Sequence, residues 1–219
     1  MTLTAIQVCW LIVLWATYGA IHSVLASNTF KRIVAERFPG MMKSYRLGFN
    51  VFAVLLLAPP LWLTFAWGGE SLWRWSGVWA WSANGLALAA VVAFFWSVRY
   101  YDMGAFSGLA QWRAADGSRE DRERLALSPL HRFVRHPWYA LALVILWTRD
   151  MDEARLVSTV CISLYLWLGS LLEERKLVIQ HGDTYARYRA RVNGLFPWPG
   201  RILSKREAMA LLDDRTRKA

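Results

Sequence analysis

Four stretches of the chain, 5–27, 46–67, 77–98 and 154–172, are almost continuously apolar. A helix rises 1.5 Å per residue, so each is about long enough to cross a hydrocarbon core of ~30 Å. Their apolar residues come in runs rather than in the one-sided stripe of a soluble surface helix. A fifth stretch, 137–148, has only 12 residues. Its length also suits a buried helix or a re-entrant segment. Its place between Pro137 and the acidic turn Asp150-Met151-Asp152-Glu153 favours a short or tilted fourth span. The pattern predicts an all-α, polytopic membrane protein of about five spans. Met1-Thr2-Leu3-Thr4 lacks the basic region of a cleaved signal, so 5–27 is read as a retained first span.

The polar segments organise the rest. The longest is 99–136. Its middle, Arg113 to Arg124, alternates acids and bases around Gly117 and is expected to be a solvated loop or short surface helix. In 183–192, Tyr185, Tyr188 and Val192 recur at helical spacing, with Arg187, Arg189 and Arg191 mostly on the other face. This is the pattern of an interfacial amphipathic helix, suited to the bundle or to anionic headgroups. Leu195-Phe196-Pro197-Trp198-Pro199-Gly200 should stop that helix and set aromatics at the interface. From Ser204 a polar helix is expected, with disorder in the last few residues. The expected division is a membrane domain over 1–200 and a polar cytoplasmic tail over 201–219.

Charge gives the orientation. Segment 28–45 holds Lys31, Arg32, Arg37 and Lys43 against one acid, Glu36. Segment 68–76 is balanced, 99–136 is rich in Arg, 149–155 is net acidic, and the chain after Glu174 is strongly basic. Alternate segments are therefore positive, which puts the N-terminus outside and the C-terminus in the cytoplasm. The net charge of +10 belongs to residues flanking spans, and no nucleic-acid recognition motif lies among them. Composition agrees: 56% of residues are hydrophobic and 14 are Trp, more than a soluble domain of this size carries. Trp10, Trp15, Trp62, Trp67, Trp79, Trp81, Trp96 and Trp147 are read as interfacial belts and packing. Cys9 and Cys161 lie inside apolar spans, form no metal-binding spacing and are read as small buried apolar residues.

Two polar clusters bracket the central hairpin: Arg135-His136-Pro137-Trp138-Tyr139 at its start and Glu173-Glu174-Arg175-Lys176 at its end. Pro137 suits the first turn of a helix, which puts His136 at the helix start and Tyr139 one turn in. Antiparallel connection would bring both clusters to one membrane face. That pairs His, Tyr and free helix-start amides with carboxylates, a setting for a zwitterionic or cationic ligand. Decoration of helix ends by aromatics and Glu–Arg pairs explains the same residues equally well.

From about Leu125 to Pro197 the chain resembles the integral-membrane methyltransferases that include isoprenylcysteine carboxyl methyltransferases and phospholipid methyltransferases. The resemblance rests on Arg135-His136-Pro137-Trp138-Tyr139, Glu173-Glu174, Gly182, Tyr185, Tyr188 and Pro197 in the family's order. In the first half, His22-Ser23-Val24-Leu25-Ala26, Phe30-Lys31, Tyr45-Arg46 and Phe106-Ser107-Gly108-Leu109-Ala110-Gln111 resemble the methanethiol S-methyltransferase branch and NnrU-type membrane proteins. They are also similar to zeta-carotene isomerase. The resemblance implies a site for S-adenosylmethionine at the cytoplasmic face. His136, Pro137, Trp138 and Tyr139 would line it, with Glu174, Tyr185, Tyr188 and His131 beside them. Glu173 would hold the amino or sulfonium end.

Three positions depart from the family. Leu141 stands where a Gly lets the cofactor approach, and His131 where many members have Tyr. Gly169 stands where prenylcysteine enzymes carry an Arg for the substrate carboxylate, which argues against that substrate. The implied reaction is methyl transfer to a small or lipophilic acceptor, sulfur favoured, in a bacterial inner membrane whose lipids are the other partner. A thiol must ionise to attack well, and Arg175, Arg189 or Arg191 could help it do so. His22, near the end of the first span, is either an interfacial histidine or a substrate contact or base. The alternative from another class is a haem-binding membrane protein or isomerase, with His22 and His131 or His136 as axial ligands.

Overall fold

The computed structural model describes residues 2–114 and 128–216. The stretch from Arg113 to Arg124 and the last few residues therefore lie largely outside the described residues. Nine α-helices are present among the described residues: α1 (Ala5–Ala26), α2 (Asn28–Arg37), α3 (Met42–Trp67), α4 (Gly77–Val98), α5 (Met103–Ser107), α6 (Leu109–Arg113), α7 (Pro137–Trp147), α8 (Glu153–Arg191) and α9 (Lys205–Thr216). Short 3-10 turns over Pro39–Met41 and Pro129–Arg132 precede α3 and α7. Ala5–Ala26, Pro39–Trp67, Gly77–Val98 and Glu153–Arg191 are long and apolar enough to cross a membrane, and α7 is a shorter apolar helix. The protein is an all-α, multi-pass integral membrane protein. Its outer surface agrees, with Trp62 69%, Trp79 67% and Trp81 82% exposed on these helices. Such surface is stable only in an apolar solvent.

The chain divides into two compact units. Among the described residues, the first comprises 2–74, 101–114 and 150–162. In it, Thr4 caps α1 through a reciprocal pairing with Gln7. Pro59 and Pro60 lie inside α3, where the Thr64 hydroxyl donates to the Pro60 carbonyl at 2.7 Å and meets Ser158 Oγ at 2.6 Å. A two-stranded ribbon, β1 (Ser71–Trp73) with β2 (Met151–Asp152), joins the end of α3 to the start of α8. The Glu153 carboxylate receives the Leu3 amide there at 2.6 Å. No apolar periodicity announces this ribbon, and it was not expected.

The second unit comprises, among the described residues, 75–100, 128–149 and 163–216. Here α4 packs on α7, with Trp138 Nε1 donating to Ser97 Oγ at 2.8 Å. The apolar run ends at Leu172, but helix α8 continues, because Glu, Arg, Lys, Leu and Gln are good helix formers. The helix is broken at Gly182, whose φ of 54° and ψ of −135° are not helical. The expected amphipathic helix of 183–192 is thus the last arm of α8. It buries the face predicted for it: Tyr185, Tyr188 and Val192 are all buried. Cys9 departs from expectation, since it is exposed on α1.

Candidate functional site

The site grows out of the entry to α7. Val134 makes a parallel bridge with Asn193, the Arg135 amide donates to the Asn193 carbonyl at 2.8 Å, and the His136 amide donates to the Gly194 carbonyl at 3.1 Å. Three backbone positions before Pro137 are thereby pinned to the chain leaving α8. Pro137 then starts α7 at its first turn, where no N–H is required. His136 and Tyr139 come out on one face, their rings stacked with centroids 5.4 Å apart and planes 10° from parallel.

The two adjacent glutamates of α8 have different partners. Glu174 is buried. Its Oε1 receives Arg135 Nη2 at 2.6 Å and Arg135 Nε at 2.8 Å, and lies 3.1 Å from His136 Nε2. Glu173 keeps 42% of its side chain exposed. Its Oε2 receives the Tyr139 hydroxyl at 3.2 Å and lies 3.5 Å from His136 Nδ1. His136 therefore sits between two carboxylates. Burial disfavours its charged form, but the hydrogen bonds and charges of Glu173 and Glu174 outweigh burial and raise its pKa. The result is an imidazole held between two acids, one carboxylate sealed by an arginine and one carboxylate open to a ligand. An open carboxylate flanked by a tyrosine hydroxyl can receive a cation.

His131 stands apart chemically. Its Nδ1 accepts the Ser128 amide at 3.0 Å, which requires that nitrogen to be unprotonated. Burial pushes its pKa down to about 4, so the ring is neutral. Its carbonyl receives the Tyr188 hydroxyl at 2.7 Å, and Tyr188 meets Tyr185 edge to face at 5.8 Å. His131 and Tyr185 are thus joined through Tyr188, and both tyrosines are buried.

The structure brings together His131, His136, Pro137, Trp138, Tyr139, Glu173, Glu174, Tyr185 and Tyr188 in the second unit. The three residues expected to act on the acceptor have partners of their own. Arg189 has an exposed side chain and contributes its backbone carbonyl, which receives Arg135 Nη1 at 3.0 Å. Arg191 pairs with Glu207 at 2.7 Å. His22 belongs to the first unit, between the rings of Tyr18 at 5.7 Å and Phe49 at 5.0 Å. Sequence reasoning missed Arg135 as a member of the site, along with Asn193 and Gly194. Arg135 was visible as the first residue of the His-Pro cluster, but nothing local in sequence says which acid it seeks.

The scattered first-half motifs also converge. Tyr45 donates its hydroxyl to the Leu25 carbonyl. Arg46 Nε and Asn50 Nδ2 both donate to the Phe106 carbonyl at 3.1 Å. Gly108, at φ 87°, lets α5–α6 press onto α3: a Cβ there would lie 2.4 Å from the Leu47 nitrogen.

Fold and site define a helical membrane protein with a charged cluster where α7 begins. Known proteins narrow that class. The chain is 29% identical to a methanethiol S-methyltransferase of Pseudomonas sp. over 193 residues, 84% of this chain and 71% of that one. It is 28% identical to methanethiol S-methyltransferase 2 of Bradyrhizobium diazoefficiens over 208 residues, 93% of this chain and 76% of that one. With the methanethiol S-methyltransferase of Mycobacterium tuberculosis it shares 27% identity over 193 residues, 87% of this chain and 78% of that one. No family model matches the chain, and no solved structure matches it. The chain is thus similar, over most of its length, to bacterial proteins named methanethiol S-methyltransferases.

Proposed function

We propose that the protein transfers a methyl group from S-adenosylmethionine to a small or lipophilic thiol, with methanethiol as the first candidate. The carrying observation is the half-exposed Glu173 carboxylate between the Tyr139 hydroxyl and the His136 ring, in a chain similar along most of its length to methanethiol S-methyltransferases. S-adenosylmethionine, when bound, supplies a methyl group already activated on a cationic sulfur.

The residues fit such a ligand. Glu173 offers a fixed negative charge to its ammonium or sulfonium, and Tyr139 orients that carboxylate. The Pro137 helix start offers amides to its carboxylate end. Trp138, fixed by Ser97 and lying 5.0 Å from Phe94, offers an aromatic wall that excludes water. Because the electrophile arrives activated, the chain's task is to hold both reactants in line and dry. A thiol acceptor must lose its proton, and Arg189, Arg191 and His22 remain the residues we propose for the acceptor side. Both ring nitrogens of His136 face carboxylates, which leaves it poorly suited to ligate haem iron.

The test gives membranes containing the protein radiolabelled S-adenosylmethionine with methanethiol, a longer alkanethiol or farnesylcysteine. Labelled thioether from the thiols is expected. Gly169 offers no partner to a buried prenylcysteine carboxylate, and leaving that charge unpaired is costly. A methyl ester on farnesylcysteine, with the thiols untouched, would overturn the acceptor assignment.

A further inference from the structure

Arg135 has five N–H donors, and its side chain is only 12% exposed. The guanidinium joins three stretches of chain that the sequence holds far apart. Nε and Nη2 take one oxygen of Glu174, at 2.8 and 2.6 Å. Nη1 donates to the carbonyls of Arg189, at 3.0 Å, and Val192. Those carbonyls end α8, where helical partners have run out and a cation is favoured. The side chain therefore closes the arm of α8 beyond Gly182 onto the part of α8 before it.

The consequence falls on Glu173. Without Arg135, the two carboxylates would share the single His136 ring as their partner. With Arg135 on Glu174, the buried acid is neutralised and held aside, and His136 is fixed by Glu174 Oε1 at 3.1 Å. Glu173 is left as the acid with an open side, oriented by Tyr139 and His136. We infer that Arg135 is the positioning residue of the donor site: by sealing Glu174 and latching the end of α8, it presents Glu173 to a cationic methyl donor. This rests on the methyl-donor reading above.

The experiment uses the full chain in detergent, with S-adenosylmethionine binding measured by calorimetry and turnover measured against donor and thiol separately. Wild-type protein is measured first. No saturable binding at millimolar donor overturns the donor reading itself, and with it the inference. If the wild type binds, R135K decides. Lysine keeps the charge but cannot span one carboxylate and two carbonyls. Donor KM is expected to rise by about tenfold or more while thiol KM stays within about twofold, a split that a general loss of structure would not give. Equal donor affinity in R135K and wild type, or a parallel rise in both KM values, overturns the inference. Should R135K fail to fold, R135Q/E174Q leaves no charge buried alone and still lacks the latch. It is expected to bind donor weakly with Glu173 intact, and wild-type affinity in it would overturn the proposal.

Discussion

Tyr139 and Glu173 meet across the mouth of the α7–α8 hairpin, the phenol hydroxyl 3.2 Å from the carboxylate that retains solvent access. If that carboxylate receives the donor's cation, Glu173→Gln removes a charge-assisted hydrogen bond. Donor binding should weaken by roughly 1.5–3 kcal/mol. Tyr139→Phe removes only the orienting bond and should cost about 0.5–1.5 kcal/mol. Calorimetry on the two variants should rank them in that order. Equal affinity of Glu173→Gln and wild type would remove Glu173 from the site.

Two histidines give stability opposite slopes with pH. His136 has a folded pKa raised above its ordinary 6.5. Its contribution is complete below that pH and is lost as pH rises through the raised value. His131 is lowered to about 4 from 6.5, so the folded state refuses a proton the unfolded chain accepts. Its contribution is complete above 6.5 and falls away toward pH 4, by up to about 3 kcal/mol. Thermal melting in detergent should therefore peak between these limbs. His131→Gln should flatten the acid limb and His136→Gln the alkaline one. A variant that leaves its own limb unchanged would dismiss that assignment.

The spans were legible because hydrophobic runs need no partner to be recognised. The reading of 5–27 and 77–98 matches Ala5–Ala26 and Gly77–Val98 within a residue or so. The buried face Tyr185–Tyr188–Val192 was legible for a related reason: three residues at helical spacing define a face whatever covers it. What stayed hidden was pairwise. Arg135 and Glu174 are 39 residues apart, and Arg135 and Val192 are 57 apart. A basic residue beside His-Pro could equally have faced water. The division of labour between Glu173 and Glu174 was hidden too, since neighbours on a helix point about 100° apart and sequence does not say which way the bundle lies. The ribbon of β1 and β2 is too short to show a period of two.

Orientation in the membrane follows from Lys31, Arg32, Arg37 and Lys43 after α1 and from the basic chain after Glu174. A reporter fused after Ala219 should read as cytoplasmic and one inserted near Gly69 as external. Two reporters on one side would reverse the reading of α1 or α3.

Gly108→Ala tests the first unit. Its φ of 87° is strained for alanine, and the new Cβ would press on the α3 backbone at Leu47 and Arg46. Destabilisation of more than about 2 kcal/mol is expected, seen as a lower melting temperature, with Gly104→Ala as the milder comparison. Equal melting of the two variants would mean that α5–α6 does not press on α3.

The break in α8 has a stereochemical consequence. Gly182 at φ 54° and ψ −135° is the mirror image of an ordinary extended residue. Nothing lies within 4 Å of where its Cβ would stand, so the objection to a side chain is handedness rather than room. L-alanine there should strain the bend by about 1–3 kcal/mol. D-alanine, introduced by semisynthesis, should fit it and stiffen it. The arm carrying Tyr185 and Tyr188 turns back on a residue without chirality, and the mirror-image amino acid would be its natural replacement.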